Sequence, residues 1–147
     1  MKSKRLKRLV RLRELVEKSH VTELEERRRS LDEAEHLLAV TYERMTALDE
    51  DETASSADEL MRVARFQTHL EQQAAQQKDE ISDREAAVME GLEIVRRAWQ
   101  DRRLLQHMQD NAEARETHDA QKRLWKEQDA LAINSYAQTS VADEESP

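Results

Sequence analysis

A chain with one glycine and one proline among 147 residues has almost nowhere to turn. Those two residues supply many of the backbone conformations that punctuate a fold. Charged residues make up 38 % of the sequence and aromatic residues 3 %, too little apolar bulk for a thick core. A thin seam of Leu, Val, Ile, Met and Ala between long helices suits that composition, and the role expected of such a protein is mechanical or adaptor-like. Cysteine is absent, which excludes disulfides and thiolate metal sites and fits a reducing compartment. No apolar run approaches the roughly 18 residues of a membrane span. Arg11 and Arg13 interrupt the apolar residues of the N-terminus, so it offers no signal-peptide core. The expectation is a soluble cytoplasmic protein of one elongated domain.

Charge is unevenly placed along a chain whose net charge is −8. Residues 1–13 carry Lys2, Lys4, Arg5, Lys7, Arg8, Arg11 and Arg13 with no acid, and residues 49–59 carry Asp49, Glu50, Asp51, Glu52, Asp58 and Glu59 with no base. Such a layout steers binding at one end, and it also occurs on ordinary helical surfaces. The basic stretch suits phosphate, in nucleic acid or anionic lipid, and its apolar residues form one broad helical face. It lacks aromatic side chains for base stacking, and the pI near 5.2 opposes nucleic acid.

Periodicity predicts an all-α, antiparallel two-helix coiled-coil hairpin. Leu24, Leu31, Ala34, Leu38, Met45 and Leu48 share one heptad register, broken only at Arg27 and Thr41. Upstream, Leu6, Leu9, Leu12 and Val16 continue the stripe, joined to Leu24 through His20 by two steps of four, a stutter that locally unwinds a supercoil. Glu23 with Arg27 and Glu25 with Arg29 have the favourable acid-first order one turn apart. Residues 49–57 show no periodicity, and Ser56 followed by Glu59 has capping-box spacing. Helix one is therefore expected over about 3–48 and helix two over about 58–134, antiparallel because the loop is short.

Helix two carries Leu60, Val63, Leu70, Ala74, Ile81, Val88, Val95, Ala98, Leu105 and Ala112 on one register. Beyond Leu105 the register positions Gln109, Glu116, Asp119, Arg123 and Lys126 are polar, and Leu124, Trp125, Leu131 and Ile133 fall off-register. Paired from the loop, helix one runs out opposite about residue 105, which predicts an overhanging C-terminal helix end. The hairpin is expected to occupy 1–138, with 139–147 a disordered acidic tail. A rival break near Ser82, which with Glu85 also has capping-box spacing and precedes Gly91, would make three helices.

No constellation points to catalysis. Glu-x-x-His occurs at Glu17–His20 and Glu33–His36, but both copies lie on one helix, whereas a four-helix di-iron site draws them from two. His107 and His118 lie about 16 Å apart along a helix, too far to share an ion, and Gly91 alone makes no phosphate loop. No catalytic residue, metal or cofactor is assigned. Phe66, with Leu70 one turn on, is either core at the hairpin tip or an exposed partner anchor. Trp99 flanks the seam and is expected to pack on helix one, whereas Trp125 lies where no seam protects it.

Arg8-Leu-Val-Arg-Leu-Arg-Glu-Leu-Val-Glu, followed by Glu23-Leu-Glu-Glu-Arg-Arg-Arg-Ser-Leu-Asp-Glu-Ala-Glu, resembles the N-terminal helix of FliJ-type proteins. Arg123-Leu-Trp-Lys-Glu-Gln-Asp-Ala-Leu-Ala is similar to their Glu-Gln-x-x-Asp-Glu-type C-terminal segment. Length and two-helix organisation match as well, over about residues 4–138. The resemblance implies a stalk of a type III export apparatus, flagellar or of the related virulence type, without enzymatic activity. Its helix ends would insert into a hexameric export ATPase, promoting ring assembly, while the hairpin end faces the membrane export gate. Export chaperones are further partners that the family implies, and the location implied is the cytoplasmic face of the inner membrane. Carried over by position, the ring-facing candidates are Arg8, Arg11, Arg13, Arg123, Lys126, Gln128 and Asp129, and the gate-facing candidates are Phe66 and Leu70. A lone hairpin is expected to be monomeric. The alternative, a generic coiled-coil scaffold or filament component, would self-associate through the segment after Leu105.

Overall fold

A computed structural model describes residues 1–50 and 56–145. It contains two helices, α1 (Lys2–Glu50) and α2 (Ala57–Glu145), packed against each other as an all-α hairpin. The expected loop lies mostly outside the described residues, but its last part is visible. Ser56 caps α2: its hydroxyl oxygen accepts the Glu59 backbone N–H at 3.2 Å, and its carbonyl accepts that of Leu60 at 3.0 Å. The first bond satisfies one of the donors orphaned at a helix start, and the second is the first bond of the helix itself. Helix α2 runs unbroken past Ser82 and Gly91. It also continues to Glu145, so the described part of the expected tail, 139–145, is helical; no glycine or proline intervenes before Pro147 to stop it. The chain divides into two compact units, Glu14–Gln100 and Met1–Arg13 with the residues from Asp101 onward.

In the Glu14–Gln100 unit, Leu24 and Ala34 on α1 and Leu70, Ala74 and Gly91 on α2 are buried. The seam is narrow because its residues are small. A Cβ placed on Gly91 would stand 3.1 Å from Leu24 Cδ1 and 3.3 Å from Arg27 Cδ, so glycine here makes room for the Arg27 stem. The two residues expected to interrupt the seam instead join it. Arg27 Nη1 donates across to the Ala87 carbonyl at 2.8 Å, and Arg84 Nη1 donates in the opposite sense to the Ser30 carbonyl at 2.8 Å. Helix carbonyls have a second lone pair free for such a bond. Thr41 is buried, with its hydroxyl 2.7 Å from the Gln77 side-chain oxygen and 3.1 Å from the Leu37 carbonyl. Lys78 stands over the Tyr42 ring at 5.6 Å, within cation–π range.

These contacts fix a register different from the one read off the loop. Thr41 meets Gln77, so Leu48, one heptad on, falls beside Leu70 and not beside the start of α2. Residues 57–62 are accordingly all exposed, Leu60 included. In the other unit, taken by itself, α1 pairs further along α2 than expected: Ser3 bonds Glu116, about eleven residues beyond Leu105. The polar positions Gln109 and Glu116 thus belong to the seam as half-buried residues.

The N-terminal register also differs from expectation. Leu6 and Val10 are buried with Ser3, whereas Leu9, Leu12 and Val16 face outward. Ser3, Leu6, Val10, Glu17, His20 and Leu24, all buried or half-buried, follow one another by steps of three, four and seven, so their stripe along α1 has no stutter. Polar residues are tolerated in this seam because their aliphatic stems cover apolar surface while their heads reach water.

Candidate partner-binding site

The N-terminal strand of cations is held in place by the seam beneath it. Leu6 and Val10 bury their side chains, and Ser3 donates twice to the Glu116 carboxylate, from its hydroxyl to Oε2 and from its backbone N–H to Oε1 at 3.2 Å. Hydrogen bonds to the ionised form favour it. The Ser3 hydroxyl first, then its N–H, with help from the Lys4 charge, hold Glu116 below the ordinary carboxylate value of 4.5. A depressed folded-state pKa contributes stability above the unfolded value that is lost as pH falls through the folded one. Acidification below about pH 4.5 is therefore expected to weaken the hold of residues 1–13 on α2. A carbon-13 titration checks this: Glu116 should titrate below 4.5 in the native chain and move back toward it in Ser3→Ala.

Arg8, Arg11 and Arg13 lie exposed on this held segment. Arg123, Lys126, Gln128 and Asp129 are exposed on α2, within a stretch from 117 to 145 in which every residue is exposed. Trp125, in that stretch, is 60 % exposed. The ring-facing candidates therefore fall in one compact unit, on an α1 segment braced by α2 and on an α2 segment with no α1 beside it. Beside Leu6 an open groove of about 260 Å³ is lined by Lys2, Met108, Asn111 and Arg115, among others.

The gate-facing candidates separate. Phe66 is 47 % exposed, but Leu70 is 1 % exposed and belongs to the helix–helix seam. Leu70, one turn from Phe66, presents almost no surface of its own. Trp99 is half exposed at the edge of the seam, and His20 is half-buried in it with Nδ1 3.7 Å from Glu23. Among the described residues no group of three or more His, Asp or Glu is placed to hold a metal ion, and no helix is long and apolar enough to cross a membrane. Sequence reasoning missed Ser3 and Arg84, and it read Val10 as part of a broad apolar face and not as a seam position. Of these, Val10 carried a signal, since it lies two heptads before Leu24.

No curated protein and no solved structure matches the chain. The model of one family, the flagellar FliJ protein, matches residues 1–140 of 147. Two helices that pair up to Glu116, with a further exposed helical stretch inside the matched range, are what the chain brings to that family. On this match over nearly its whole length, the chain belongs to the FliJ family.

Proposed function

We propose that this protein is the stalk of a flagellar export apparatus, acting by binding and without chemistry of its own. Its helix ends engage a hexameric export ATPase, promote assembly of the ring and couple it to the membrane export gate. The observation that carries this reading is the exposed α2 stretch beyond Glu116, which has no neighbour in its own unit after α1 ends. Isolated helices gain little from propensity alone, so a helix left uncovered over this length gains most from a partner that surrounds it. Arg8, Arg11, Arg13, Arg123, Lys126, Gln128 and Asp129 supply the ring contacts, with both signs of charge available for a polar pore. Phe66 is the exposed anchor toward the gate, one turn from the buried Leu70. Export chaperones are additional partners, and the site of action is the cytoplasmic face of the inner membrane.

Titrating the chain into the flagellar export ATPase of the same organism tests this reading. Stimulated ATP hydrolysis together with hexamer formation is expected, and both should be lost when the chain is truncated after residue 118. No effect of the well-folded full-length chain on either activity or assembly would contradict the stalk role.

A further inference from the structure

The segment of α1 before Glu14 and its partner stretch of α2 present two unlike sides. On α1, Leu9 and Leu12 each precede a seam position by one residue, and on α2 Leu104 and Met108 do the same. In an antiparallel pair such positions lie on the same flank, as the groove shared by Lys2, Met108, Asn111 and Arg115 illustrates. All four apolar side chains are substantially exposed, Leu9 at 45 % and Leu12 at 58 %. Lys2, Arg5 and Arg115 border them, while Glu116 is already engaged by Ser3. The opposite flank, with Lys4, Lys7 and Arg11 facing Gln106, Asp110 and Glu113, carries no apolar residue. One flank is thus apolar with a border in which three cations outnumber Asp119, the further acid that lines the groove, and no described residue of its own unit covers it.

The same unit contains its chemical complement. Residues 127–145 carry Glu127, Asp129, Asp143, Glu144 and Glu145 with no lysine or arginine. Leu124, just before that stretch, and Leu131 and Val141 within it recur at heptad-compatible spacings, all exposed, with Glu127 and Glu145 in the same stripe. We propose that the flank of Leu9, Leu12, Leu104 and Met108 docks residues 124–145 of a second copy of this chain. The apolar stripes cover each other, and the acidic stretch meets the Lys2, Arg5 and Arg115 border, an amphipathic helix laid on an apolar face. Methionine at the centre adapts to the incoming ridge. A pair held in this way covers the neighbourhood of Arg123, Lys126, Gln128 and Asp129, so it dissociates before those residues engage any other partner. The inference goes beyond the stalk reading and does not depend on it.

Sedimentation equilibrium of the full-length chain tests the proposal. The mass should rise with concentration from 17.2 kDa toward twice that value. The association should weaken by about tenfold or more when salt screens the charge pairs. The double variant Leu9→Glu with Leu12→Glu should associate about tenfold more weakly or worse, because each introduced carboxylate would be buried without a partner. Leu124→Glu with Leu131→Glu should do the same. All four positions are exposed, so helicity by circular dichroism should be unchanged. Mixing the two double variants restores one intact face and one intact stripe, and a heterodimer should form where neither variant pairs with itself. A mass that stays at 17.2 kDa at every concentration would overturn the proposal. So would association that neither double variant weakens. Binding to phosphatidylglycerol vesicles that Leu9→Glu with Leu12→Glu abolishes, in a chain that never self-associates, would assign the flank to lipid instead.

Discussion

Leu70→Ala is expected to lower the stability of the Glu14–Gln100 unit by about 2–5 kcal/mol, the range for emptying a fully buried leucine site. Phe66→Ala, one turn away and half exposed, should cost about 1 kcal/mol or less, since much of its area is already in water. Urea unfolding of both variants, followed by helix signal, measures the contrast. The pair also separates support from recognition. If Phe66 anchors the export gate, Phe66→Ala loses gate binding in a chain that is still folded, whereas Leu70→Ala weakens binding only as far as it unfolds the tip. Equal stability losses in the two variants would mean that the seam near the turn is placed differently from the one described here.

Gly91→Leu is expected to be the other severe change, and for the reverse reason. The first added carbon already meets Leu24 Cδ1 at 3.1 Å and Arg27 Cδ at 3.3 Å, and a longer branch has to displace the Arg27 stem. Overpacking of this kind costs about 1–3 kcal/mol. Displacing Arg27 also breaks its bond to the Ala87 carbonyl, with a further loss of about 1.5–3 kcal/mol for a bond to a charged group, less in proportion to its exposure. Gly91→Ala is the control. It gains about 1 kcal/mol of helix propensity and needs Leu24 and Arg27 to yield by only a few tenths of an ångström, so its net effect should be small. Thermal unfolding of the two variants side by side checks the ordering. A Gly91→Leu chain as stable as the parent would show that the helices do not approach closely at this position.

Most of the fold was legible because it rests on a pattern that one helix can carry alone. Leu24 to Leu48 on α1 and Leu70 to Leu105 on α2 repeat at three and four, and few alternatives to a helix pair accommodate that repeat with Gly91 as its single glycine and no proline. What escaped the sequence depends on the partner helix. Leu9, Leu12 and Val16 make as good a helical stripe as Ser3, Leu6 and Val10, and only the position of α2 decides which of them is buried. Arg27 and Thr41 read as interruptions because their compensation, a carbonyl at Ala87 and an amide at Gln77, lies on the other helix. The extent of pairing was misplaced for the same reason. The loop marks where the helices end, while the register set by Thr41 and Gln77 leaves the first turns of α2 unpaired, and in the other unit the bond from Ser3 takes the seam to Glu116. Of the candidate site, the exposure of Arg123, Lys126, Gln128 and Asp129 was legible, because they lie past the seam. That Leu70 is buried while Phe66 is not was hidden, since a heptad position predicts the seam but not how near the turn the seam still holds.

The most direct measurement of the central claim is amide hydrogen exchange across residues 117–145, with and without the export ATPase. The exposed helix should exchange rapidly in the free chain, for want of buried apolar contacts, and slow markedly around Arg123–Asp129 once the ring is present. Exchange in that stretch that the ATPase leaves unchanged, while the ATPase demonstrably binds the chain elsewhere, would contradict the account of the helix end as the ring-engaging element.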